Sequence, residues 1–160
     1  MHIRPFLPTD RDAVRAIVLN EWLRYYVNPI LGITEDIVRE AHQSLSSSTS
    51  VKHVNVISHT RLIGLSDMMY DDVIASGSVV ETQDYIHLQS LYVRSDHQGK
   101  GYGKMLLSTL LSRHQNPKPW TLGVVTYNVK AIEFYTSFGF HKSGLEYYMG
   151  KIPVMEMVKR

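Results

Sequence analysis

The stretch from Tyr85 to Leu106, YIHLQSLYVRSDHQGKGYGKML, constrains this chain more than any other. It reads as a strand over 85–93, a glycine-rich turn, and the first turns of a helix running to about His114. Gln98, Gly99, Gly101 and Gly103 cluster where strand hands over to helix. Glycine lets the backbone turn its N–H groups inward and lets a ligand approach closely. A helix N-terminus adds unpaired N–H donors and partial positive charge. A chain that builds this junction builds an anion site suited to phosphate or diphosphate.

Two familiar glycine loops fail the spacing. A P-loop needs a hydroxyl residue after Gly-Lys, and Met105 follows Gly103-Lys104; Gln98 stands where its first glycine belongs. The dinucleotide fingerprint Gly-x-Gly-x-x-Gly starts at Gly99 and Gly101, but its third glycine falls on Lys104. What remains is Gln98-Gly99-Lys100-Gly101-Tyr102-Gly103 behind a strand with Leu88, Leu91 and Val93. This resembles the acetyl-CoA-binding motif Gln/Arg-x-x-Gly-x-Gly/Ala of the GCN5-related N-acetyltransferase (GNAT) family. A second segment, Asn128 to Phe140, is similar to that family's Asn-x-x-Ala-x-x-x-Tyr-x-x-x-Gly-Phe, with Ala131, Tyr135 and Gly139 in register.

Elsewhere the pattern predicts a strand over 2–7, then a helix capped by Thr9 with a stripe of Ala13, Val14, Ile17, Val18 and Trp22, ended by Asn28-Pro29. Thr34 opens a second helix that fades into a serine-rich connection over 44–50. Strands over 51–58 and 61–69 are joined by a turn at Ser58–Arg61, and 70–84 reads as a polar loop or frayed hairpin. The helix after the glycine turn buries Met105, Leu106, Thr109 and Leu110, and Asn116–Pro119 breaks it. A strand from Trp120 to Thr126, a helix capped by Asn128 and ended near Gly139, and strands over 140–148 and 152–158 complete the order. The expectation is an α/β (α+β layered) fold: one GNAT domain over 1–160, whose mixed central sheet, flanked by helices, splays between strands 4 and 5.

The resemblance implies roles for particular residues. Backbone amides from Gln98 to Gly103, hence Gln98, Gly99, Lys100, Gly101, Tyr102 and Gly103, are expected to cradle the coenzyme diphosphate. Lys104 and Arg94 are candidates to neutralise its phosphates, or plain solvated charges. Lys100 replaces an Arg common in the family and lacks the bidentate fork. Leu91, Tyr92 and Val93 would pair with pantetheine and polarise the acetyl carbonyl. Asn128 would contact the coenzyme as well as cap its helix. Tyr135 matches the tyrosine that serves the departing sulfur. Many relatives carry a basic Glu where this chain has Gln89 or His87; His87 is then a candidate base, and a water relay is the alternative. Strand alternation places Tyr85, His87 and Gln89 on one face.

A length of 160 residues fits one domain with a real core. A formal charge of +2, with scattered Lys and Arg, argues against nucleic acid as partner. No apolar run suggests a membrane span, and the absence of cysteine rules out disulfides and thiolate chemistry and suits a cytoplasmic location. No metal is implied: the histidines lack ligand spacing. The expected activity is acetyl transfer from acetyl-CoA to a primary amine of a small molecule, with the acceptor bounded by the first two helices and the last hairpin. Dimers are common in the family. Alternatives are a non-catalytic acyl-CoA-sensing module and a protein or peptide N-acetyltransferase.

Overall fold

The computed structural model describes residues 2–46, 53–63, 68–114 and 117–160. Its elements are β1 (His2–Pro5), α1 (Arg11–Tyr26), α2 (Glu35–Ser46), β2 (His53–Ile63), β3 (Met68–Glu81), β4 (Ile86–Val93), α3 (Tyr102–Arg113), β5 (Trp120–Val125), α4 (Val129–Ser137), β6 (His141–Met149) and β7 (Ile152–Lys159). The seven strands form one sheet in the order β1-β2-β3-β4-β5-β7-β6. All neighbours are antiparallel except β4 and β5. Most of the serine-rich connection, the 51–52 and 64–67 ends of the predicted hairpin strands and Asn116 of the predicted break lie outside the described residues.

Local signals act much as their chemistry requires. The Thr34 Oγ1 accepts the Ile37 N–H at 3.4 Å, and Asn128 Oδ1 accepts the Ala131 N–H at 3.2 Å, so both residues cap. Thr9 does not. A single 3-10 turn, Pro8–Asp10, precedes α1, and buried Asp10 accepts from Arg4 and from the Leu7 N–H at 2.7 Å.

The predicted turn at Ser58–Arg61 lies inside β2, and the stretch read as a polar loop is mostly β3. Pairing on both sides overrides its composition: β3 hydrogen-bonds β2 along one edge and β4 along the other. Small residues there have a purpose. A Cβ on Gly77 would meet Leu110 Cδ1 at 3.0 Å, with Leu106 and Leu91 at 3.2 Å. Gly77→Ala is therefore expected to cost about 1–3 kcal/mol by overpacking, read as a lower midpoint in thermal unfolding.

The buried face of α3 is Leu106, Leu107 and Leu110, while Met105 is 40% exposed and Thr109 bonds back to the Met105 carbonyl. The apolar face is thus rotated by one position from the expected one. These leucines join Ile74, Val79, Ile86, Leu88, Leu122 and Phe140 on one side of the sheet. On the other side, Trp22 and Val38 from the first two helices pack with Val125, Ile152 and Val154.

Two irregularities position the site. The β4–β5 ladder pairs Ile86, His87 and Leu88 with Trp120, Thr121 and Leu122, and stops there, though both strands continue. In the β3–β4 ladder, Ser78 faces Ser90 and Val79 faces Leu88, so Gln89 is an extra, bulged residue. The bulge reverses alternation. Ile86 and Leu88 face the α3 cluster before it, Leu91 and Val93 after it, and Tyr92 turns to the α1 side. The register shift comes after Leu88, so it changes which face the residues beyond Gln89 present, Tyr92 above all, while His87 alternates with Ile86 and Leu88 before it.

Candidate active site

Where β4 and β5 part, a cavity of about 620 Å³ opens. Its walls are Leu88–Val93, Gly123 and Val124 from the parted strands, the turn from His97, and the first residues of α3. Glu21, Tyr25 and Tyr26 of α1 close one side, and Asn128 with the α4 residues Lys130, Phe134 and Tyr135 another. Of the residues expected to serve the coenzyme, all but Lys100 and Arg94 line this space.

The glycine turn takes the shape its sequence demands. Gly99 and Gly101 have φ of +75° and +84°, a region that disfavours side chains, and no atom lies within 4 Å of a Cβ built on either. Among the described residues, the backbone N–H groups of Gly99 to Lys104 have no protein acceptor. Six unpaired donors thus lie at the N-terminus of a 12-residue helix, and five of their residues, all but Lys100, line the cavity. Gln98 differs from the expectation: its N–H is held by the Ser95 carbonyl at 3.3 Å, so the cradle begins one residue later. Lys100 points away, its Nζ donating to the Asp96 carbonyl at 3.0 Å. Arg94 is also engaged, with Asp72 at 2.6 Å and Asp96 at 2.7 Å; these acids hold its pKa up, and it holds that of Asp96 well down. Lys104 and Lys130 are the lysines that face the cavity. The signal for Lys130 was its place in the first turn after the Asn128 cap.

The cavity offers a diphosphate its unpaired amides and two lysines, and offers an extended arm the unpaired edge of β4. The residues fit acyl-coenzyme A, whose thioester would supply the activated acyl group when bound.

Tyrosines dominate the inner end. The Trp22 Nε1–H donates to Tyr92 Oη at 2.6 Å, Tyr26 and Tyr92 hydroxyls lie 3.3 Å apart, and Tyr127 donates to the Tyr26 carbonyl at 2.6 Å. Burial raises all of their pKa values. Tyr135 is held well above the phenol range by burial first and by Tyr92 second. It is a neutral O–H donor at any physiological pH.

His87 is not among the lining residues. It sits in the last stretch where β4 and β5 still pair, its Nδ1 2.9 Å from Thr121 Oγ1. Burial lowers its pKa, and Glu156 partly opposes this. Burial also lowers that of His42. The folded state binds these protons more weakly than the unfolded chain, so stability is full above the unfolded value of about 6.5 and is lost as pH falls through the folded values. The thermal midpoint should drop between pH 7 and pH 5, and His87→Gln should flatten that slope.

A family model, Acetyltransferase (GNAT) domain, matches residues 33–160. A comparison with curated proteins finds no match. Among solved structures, an N-acetyltransferase from Staphylococcus aureus Mu50 is similar over 99% of this chain and 100% of its own, at 15% identity and a TM-score of 0.67. Ard1 from Thermoplasma volcanium covers 99% and 95%, at 22% identity and a TM-score of 0.65. A ribosomal-protein-alanine N-acetyltransferase from Brucella melitensis covers 99% of each, at 21% identity and a TM-score of 0.63. At these identities the likeness is one of fold. The family match over most of the chain, on a sheet that parts above a ring of unpaired amides, places this protein in the GNAT acetyltransferase family.

Proposed function

We propose that the protein transfers an acetyl group from acetyl-CoA directly to a primary amine, its catalytic acid being Tyr135. The supporting observation is the coincidence of three features in one cavity: unpaired amides at the start of α3, the unpaired edge of β4, and a half-buried neutral phenol. The amides and Lys104 bind and orient the diphosphate. Main-chain groups of Leu91 to Val93, which β5 does not pair, align the arm and polarise the acyl carbonyl, apart from the Val93 carbonyl, which accepts from Gln98 Nε2 at 2.9 Å. As the amine nitrogen bonds to the acetyl carbon and the C–S bond breaks, the Tyr135 O–H gives its proton to the departing sulfur. The amine's proton leaves through water. His87, whose pKa burial lowers, is the β4 histidine proposed to take it through that water, since it stands where β4 and β5 still pair.

The acceptor is proposed to be a small primary amine. A peptide N-terminus is a second reading, favoured by apolar side chains on two connections. Ile30 and Leu31, between α1 and α2, are 94% and 54% exposed, and Tyr148, just before the β6–β7 turn, is 73% exposed. Their neighbours Val27, Ile33, Met149 and Ile152 pack in one cluster, so these connections adjoin. Two of the fold relatives are named for ribosomal-protein-alanine acetylation. Titration calorimetry with acetyl-CoA, followed by thiol release with a panel of polyamines, amino acids and short peptides, tests both readings. Heat and thiol release with any amine support catalysis, and the preferred panel member assigns the acceptor. Heat without thiol release from any amine would leave the coenzyme-sensing alternative, and no heat would end the proposal.

A further inference from the structure

Gly99 and Gly101 have no side chain and none packs beside them, so the anion loop must be held from its ends. One end is α3. The other is Gln98, and the side chain of Gln98 is bonded on every side. Its Nε2 donates to Glu21 Oε2 at 2.6 Å and to the Val93 carbonyl at 2.9 Å, and its Oε1 accepts from Tyr25 Oη at 2.9 Å. Both amide protons and the carbonyl are thereby used.

Glu21 is only 5% exposed, and burial raises its pKa. Burying a carboxylate is costly, and among the described residues Glu21 forms no close ion pair, the nearby Arg24 charge and the bond from Gln98 offsetting part of that cost. The carboxylate interrupts a row at four-residue spacing, Ile17–Glu21–Tyr25, on the face that α1 turns to the sheet.

We infer that Glu21 and Tyr25 are positioning residues for coenzyme binding: through Gln98 they hold the glycine loop and the Val93 carbonyl in the arrangement that presents the free amides to a diphosphate. The inference rests on the proposed coenzyme site, and α1 becomes part of the coenzyme machinery as well as a wall on the acceptor side.

The test is calorimetry with coenzyme A on the full chain. Glu21→Gln has the same shape but a single acceptor oxygen, and it should weaken binding about tenfold; Tyr25→Phe should weaken it less. A double-mutant cycle with Gln98→Ala decides the route. If Glu21 acts through Gln98, Glu21→Gln adds nothing in the Gln98→Ala background. Full additivity, or unchanged affinity in Glu21→Gln, would overturn the inference. If the wild-type protein binds no coenzyme A, the proposed function fails instead. The latch is then read from ¹⁵N order parameters over Gly99–Gly103, which should fall in both single variants and which, if unchanged, sink it too.

Discussion

Replacing Tyr135 by Phe is expected to lower kcat by about 10²–10³-fold while the KM for acetyl-CoA changes little. Proton transfer by a positioned side chain is worth about that much. Burial and Tyr92 keep this phenol protonated, which suits an acid and disqualifies it as a base. The ring itself packs edge-on to Phe134 and Phe140, contacts that Phe preserves, so the thermal midpoint should hold. The loss should appear in kcat, because the O–H matters only as negative charge develops on sulfur. Steady-state kinetics with the best amine make the measurement. An unchanged kcat across pH would remove Tyr135 from the chemistry and favour a coenzyme-binding module without turnover.

Gly101→Val should cost the coenzyme affinity about 100-fold or more. The position has φ of +84°, where a β-branched residue is an outlier, and relief of that strain rotates the neighbouring amides out of the cradle. Each charge-assisted bond lost is worth about 1.5–3 kcal/mol, so two suffice for the predicted loss. The same strain placed elsewhere supplies the control. Gly144, in edge strand β6, has φ of +95° and open space around its Cβ position. Gly144→Val should cost similar stability, about 1–2 kcal/mol, and leave coenzyme A binding intact. Equal affinities for the two variants, by calorimetry, would mean that the glycine loop does not hold the diphosphate.

Legibility differed by residue for physical reasons. Asn128 as a cap, Gly139 past its helix and the strand–glycine–helix junction were readable because each depends on φ preferences and hydrogen bonds within a few residues. The turn placed at Ser58–Arg61 was not: β2 runs straight through it, because partners far along the chain satisfy its backbone. Arg94 illustrates the same limit. Its charge suggested a phosphate partner, but Asp72, distant in sequence, claims it.

The amino-acid sequence by itself determined the order of elements and the position of the anion loop, since these follow from local backbone preference and short-range spacing, while Tyr135 was singled out by its place in the segment that resembles the GNAT motif. Tertiary structure alone decided three things: that Gln89 bulges and turns Tyr92 toward α1, that His87 stops short of the parted strands, and that Glu21 reaches Gln98. Each depends on register between strands or on contact between distant elements, where the energy comes from pairing and burial that no local run of residues encodes.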